Sequence, residues 1–112
     1  STFALGLLRA QQGRWPEAIA ALERCVGEAP HHPRARYNLA LAYAKAGETT
    51  KALDELERAA GEDETHREAV LTLVDLARQA DDKPRLERWV LEAARLDPDV
   101  RENPELQRFF PR

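Results

Sequence analysis

The sequence repeats itself every 34 residues, and that restricts the chain to a stacked array of like units. Gly13 and Gly47 are one period apart, and a further step reaches Asp81. Leu5, Leu39 and Leu73 keep the spacing, as do Ala18, Ala52 and Leu86, and Leu22, Leu56 and Val90. Cys25, Ala59 and Ala93 form a row of small residues, and Gly61 follows Gly27. Pro16 and Pro84 lie two periods apart, as do Pro30 and Pro98. A fixed period of about 20–50 residues marks repeated supersecondary units. Such a unit cannot bury its apolar face alone, so neighbours bury one another. Arrays of this kind usually hold other molecules rather than transform them.

Each period reads as two helices joined by a tight turn. In the first, Phe3, Leu5, Leu7, Leu8 and Ala10 lead to Gly13, where glycine suits the positive φ that follows a helix. Pro16 opens the next helix, since its missing N–H costs nothing at the first position. Ile19, Leu22, Cys25 and Val26 then recur at helical spacing. The pattern predicts six helices over about 2–12, 16–29, 33–46, 50–62, 66–80 and 84–96. Thr49 or Thr50 is the expected cap of the fourth, and Thr65-His66-Arg67-Glu68 reads as a capping box for the fifth. Asp81-Asp82 stands in for the turn glycine. Asp97-Pro98-Asp99-Val100 reads as a loop. Beyond it Asn103 and Pro104 open a seventh, short helix, whose Leu106, Phe109 and Phe110 are expected to cover the last repeat near Trp89.

These rows resemble the tetratricopeptide repeat, a helix–turn–helix unit. Leu5-Gly6, Leu39-Ala40 and Leu73-Val74 occupy its Leu-Gly position. Tyr43 fills its Tyr position, where Arg9 and Ala77 stand in the outer units. Ala18 and Ala52 fill the small position between helices; Leu86 does not, so the third unit is expected to pack less closely. Leu22, Leu56 and Val90 fill the large position. Pro30 and Pro98 close units one and three, while Glu64 departs in unit two. Thr2, Arg36 and Val70 replace the usual Trp, and Trp15 stands where an aromatic plugs the gap between helices. The resemblance implies an all-α chain, an α-α right-handed superhelix of three repeats over about 1–32, 33–66 and 67–98, closed by a capping segment over 99–112.

The resemblance also implies a function: a non-enzymatic scaffold that holds a protein or peptide segment in a concave groove lined by the first helix of each repeat. The implied lining is Phe3, Leu7, Tyr37, Asn38, Leu41, Lys45, Leu71, Thr72 and Asp75. Ala10, Gln11, Arg34, Glu68, Arg78 and Gln79 lie around them. Asn38 matches a family position whose amide bonds either a bound backbone or the scaffold itself. Chaperone-binding members grip a C-terminal carboxylate with two Lys, two Asn and an Arg. Here those positions hold Phe3, Leu7, Asn38, Glu68 and Thr72, and Glu68 repels a carboxylate, so that clamp is rejected. The groove is apolar near repeats one and two and charged near repeat three, which suits an apolar anchor with basic or polar flanks. The alternative is an adaptor or regulatory part of a larger enzyme whose catalytic part lies outside this chain. An open N-terminal end also offers a route to self-association.

Composition narrows the rest. The 112 residues carry a net charge of -3, without the basic footprint that nucleic acid or an anionic membrane selects. No apolar stretch approaches the roughly 18 residues of a membrane span, and no signal-peptide pattern is present. The single cysteine excludes an intrachain disulfide and fits a reducing, cytoplasmic setting. There is no methionine, even at residue 1, as expected of a piece of a longer protein whose first repeat begins mid-unit. Of 17 basic residues only Lys45, Lys51 and Lys83 are lysines, a bias of GC-rich, bacterial genomes.

No catalytic, cofactor or metal constellation emerges. Cys25 with His31 and His32 could form a nucleophile and base, but Cys25 stands in a small-residue row and reads as buried filler. Adjacent histidines do not converge on one ion, and no further ligands are evident. The carboxylates are scattered over helix faces, and no Gly-rich phosphate loop or zinc spacing occurs.

Overall fold

Three helical hairpins stack side by side in a body of 49 × 26 × 20 Å. The structure, a computed structural model, describes all of residues 1–112. The hairpins pair α1 (Thr2–Gln11) with α2 (Trp15–Glu28), α3 (Pro33–Lys45) with α4 (Thr49–Ala60), and α5 (His66–Gln79) with α6 (Lys83–Leu96). There is no strand. Each helix packs on the one before it in sequence, so α2 also covers α3 and α4 also covers α5.

The periodic rows form the core. Leu22, Leu39, Ala42, Tyr43 and Ala52 make one cluster at the α2–α3 junction, with Trp15 and Ile19 against its edge. A larger cluster of 14 buried residues runs from Ala40 and Leu53 through Leu73 and Leu86 to Leu106 in the tail. Small residues set the helix spacing. A Cβ on Gly6 would lie 2.7 Å from Leu22 Cγ, so only glycine lets α1 approach α2 this closely. Leu86, at the position of Ala18 and Ala52, is fully buried, and α5 and α6 are the least closely packed of the three hairpins.

The turn within each hairpin passes through a left-handed residue at the same position of the repeat. Gly13 and Gly47 have φ of 72° and 83°, and Asp81 at the third equivalent position has φ of 52°. Asp82 then accepts from the Arg85 amide at 3.2 Å and caps α6.

The link between α4 and α5 departs from the expectation. Thr65 precedes α5, but its hydroxyl donates to Ala59 O at 2.8 Å rather than capping, and Glu68 turns to Arg34. The capping box therefore does not form. His66 Nδ1 lies 2.6 Å from Ala60 O and its Nε2 2.5 Å from Glu92 on α6. Thr65 and His66 thus satisfy the last carbonyls of α4 where the repeat lacks its closing proline. Both ring nitrogens face acceptors, so the protonated imidazolium satisfies both. The Ala60 carbonyl first, then Glu92, raises the His66 pKa, and Arg95 and His66 hold Glu92 down at about 2. Neither threonine caps α4, which begins after Glu48 without a side-chain bond. His32 caps α3, its Nδ1 accepting from the Ala35 amide at 3.0 Å.

The tail is helical over most of its length, as far as Phe109. The expected loop after Asp97 is a 3₁₀ helix, Pro98–Glu102, and the seventh helix is a second one, Pro104–Phe109. Runs this short favour the tighter winding. Asn103 caps the latter through the Glu105 amide at 2.9 Å. Leu106 is buried at 2% exposure in the main cluster, and Phe109 lies beside Lys83 and Glu87 of α6. Trp89 is turned the other way, its indole N–H donating to Glu57 on α4 at 3.0 Å.

One expected core residue is not in the core. Leu39 and Leu73 are 3% and 0% exposed, but Leu5 in the same row is 44% exposed, because no helix lies against that side of α1.

The shared left-handed turn yields a paired prediction. Nothing crowds a Cβ at Gly47, so Gly47→Ala pays for φ alone and should destabilise by about 1 kcal/mol or more. Asp81→Gly should move the other way by up to about 1 kcal/mol, its exposed contact with Arg108 counting for little. Urea denaturation of the two variants checks the opposite signs.

Candidate functional site

The first helix of each hairpin carries two opposed faces. On α3, Leu39, Ala42 and Tyr43 point into the core. Arg34, Tyr37, Asn38, Leu41 and Lys45 recur on the other side at spacings of 3 and 4. Stepping by one period gives rows across the three hairpins: Phe3, Tyr37 and Leu71, and beside them Leu7, Leu41 and Asp75. The nine predicted site residues are carried by α1, α3 and α5, the first helices of the three hairpins. Leu7 and Leu41 are half-buried and belong to neither core cluster. Tyr37 and Leu71 lean on the larger cluster and Phe3 on the smaller.

Much of the polar chemistry on this face is already engaged. Arg34 donates through both terminal nitrogens to Glu68, at 2.9 and 2.8 Å, a bidentate pair that ties α3 to α5. That bond raises the Arg34 pKa and lowers that of Glu68. Tyr37 and Thr72 join their hydroxyls at 3.0 Å. Asn38 donates to Arg34 O in its own helix at 2.8 Å, which is the scaffold alternative for its amide; its Oδ1 has no protein partner. Asp75 accepts from Arg78 at 2.6 Å and Gln79 at 3.0 Å. The Phe3 ring lies 4.7 Å from that of His32. Lys45 is exposed and makes no ion pair.

A second set of polar residues escaped the sequence reading. Arg36, at the usual Trp position, pairs with Glu55 at 2.7 Å, both side chains largely buried. Arg85 reaches Glu57, Asp54 and Asp82 and clamps α6 to α4. Burial alone would raise the Glu57 pKa, but the bonds from Arg85 and Trp89 outweigh it and lower it. Apart from Asp82, three residues before Arg85, the partners lie 19 to 31 residues apart, so no local spacing announces them. Cys25 is buried and His31 is exposed. No three His, Cys, Asp or Glu side chains gather closely enough to hold a metal.

A model of the tetratricopeptide repeat matches residues 3–67, more than half of the chain, from α1 to the start of α5. The chain belongs to the tetratricopeptide repeat family. No curated protein matches it. Tetratricopeptide repeats are protein-interaction modules, and the α-solenoid of paired helices here is consistent with that role. No helix is long and apolar enough to cross a membrane.

The two faces of α3 should respond differently to truncation. Leu39→Ala removes a core side chain and should cost about 2–5 kcal/mol. Leu41→Ala, two residues on, should cost less than about 1 kcal/mol. Chemical denaturation of both variants checks the difference.

Proposed function

We propose that this chain is a non-catalytic scaffold that holds a peptide or protein segment in a concave groove along the inner faces of α1, α3 and α5. The observation that supports this most is the pair of apolar rows, Phe3/Tyr37/Leu71 and Leu7/Leu41. Leu7 and Leu41 serve no core cluster, so their burial by a ligand is not already accounted for by folding. Covering them contributes about 25 cal/mol per Å², less the cost of association.

The polar contacts set the orientation. With Asn38 Nδ2 bonded to Arg34 O, its Oδ1 accepts from a ligand N–H. Asp75 ends the leucine row, and its carboxylate is shared with Arg78 and Gln79. A segment with an apolar anchor over α1 and α3 and a polar flank over α5 fits this gradient. The Arg34–Glu68 pair forms a closed bridge between them. A free C-terminal carboxylate finds no cluster of unpaired basic side chains here, in keeping with rejection of the chaperone clamp.

The double variant Asn38→Ala, Leu41→Asp should abolish partner capture by the protein while leaving helicity by circular dichroism unchanged. Capture that persists in the folded double variant assigns binding to another face.

A further inference from the structure

Two histidines stand one period apart at the links between hairpins, His32 before α3 and His66 at the start of α5. Their Nδ1 atoms play opposite parts. At His32 it accepts from the Ala35 amide, so that nitrogen carries no proton. At His66 it faces an acceptor, the Ala60 carbonyl at 2.6 Å, and Nε2 faces a second, Glu92 at 2.5 Å. A neutral imidazole has one N–H, and only the imidazolium has two. His66 therefore fills both contacts only when it is charged.

The two contacts belong to different hairpins. Ala60 is the last residue of α4, and Glu92 lies in α6. The carbonyl end of α4 is the negative pole of that helix and favours a cation. Glu92 also accepts from Arg95, at 2.6 and 2.8 Å, so a second partner holds it whether or not His66 is charged. Arg95 opposes the imidazolium, as does the positive start of α5, but neither outweighs two direct bonds. Half-buried Glu62 and exposed Asp63 and Glu64 precede His66 in the link, and exposed Arg67 follows it. The other charged ties between these hairpins, Arg34 to Glu68 and Arg85 to Asp54 and Glu57, join arginines to carboxylates. Those groups keep their charge from about pH 6 to about pH 9; an imidazole does not.

We infer that His66 is a proton-operated tie between the second and third hairpins. Charged, it bridges the end of α4 to α6; neutral, it releases one of the two. Thr65, bonded to Ala59 O, keeps the link closed in both states, so the change loosens α5 and α6 against α4 without unfolding them. The Ala60 carbonyl and then Glu92 raise the pKa of the ring above its ordinary 6.5. The tie is therefore complete below about pH 6.5 and is lost as pH rises through the folded-state value. Falling pH tightens the third hairpin on the second. The ring is 32% exposed, so solvent screening keeps the effect below that of a buried charged bond. The tie is independent of the groove, since neither His66 nor Glu92 is among its lining residues.

Nitrogen NMR of the histidine rings in the isotope-labelled full chain tests this. The His66 ring should titrate at a higher pH than the histidines of the same chain unfolded in urea, with both nitrogens at imidazolium shifts below its midpoint. Backbone amides at the end of α4 and around Glu92 in α6 should move with that same midpoint, and Glu92→Gln should lower it. Urea denaturation gives a second reading. The folding equilibrium constant of the native chain, relative to His66→Asn, should fall several-fold between about pH 6 and about pH 9. His31 and His32 are common to both proteins and cancel in the ratio. A His66 midpoint at or below the unfolded reference, or a ratio that does not change with pH, would overturn the inference. So would a titration that leaves the α6 amides unmoved, which confines the proton's effect to the link.

Discussion

The burial of each hairpin's first helix against the second helix of the hairpin before it is the interaction on which this molecule depends. Leu39 and Tyr43 of α3 meet Leu22 of α2, and Leu73 and Ala77 of α5 join Leu53 and Leu56 of α4. A fully buried leucine contributes about 1.5–3 kcal/mol, and Leu22, Leu39, Leu53, Leu56 and Leu73 all belong to clusters that span these junctions, so no hairpin is stable without its neighbours. The ends make the same point. The tail supplies Leu106 to α6, and α1, with no helix against its outer side, leaves Leu5 and Leu8 in water.

Stacking by translation also determines where polar side chains can meet. The Arg34–Glu68 pair joins residues one period apart, and Tyr37 and Thr72 are nearly so. Both bonds hold α3 and α5 side by side on the inner face. The same translation carries Leu7 and Leu41 into a row on that face, while the core rows turn inward. A half-buried row that serves no core cluster and the core itself are thus written on opposite sides of the same helices, and changes on one side need not disturb the other.

The periodic part of the fold was legible because position within a repeat largely dictates environment. Even Asp81 was readable: its register alone placed it where Gly13 and Gly47 turn left-handed, and it does the same. What the sequence hid were features that depend on which neighbour is present. Leu5 has the right residue in the right row but no helix to pack against. Thr65 and Glu68 have capping-box spacing, yet Ala59 O and Arg34 are stronger tertiary partners. The Arg36 and Arg85 networks join positions with no common spacing. The sequence left open whether Asn38 is free; its amide is bonded to Arg34 O.

Native-state hydrogen exchange tests the dependence on neighbours most directly, since protection reports the free energy of local opening. If stability resides in the junctions, amides of α3, α4 and α5, covered on both sides, should exchange slowest. Those of α1, covered on one side only, should exchange fastest among the six helices, with α6 protected by its tail. Uniform protection across all six helices, or α1 as slow as α4, would contradict this account and describe a single cooperative core instead.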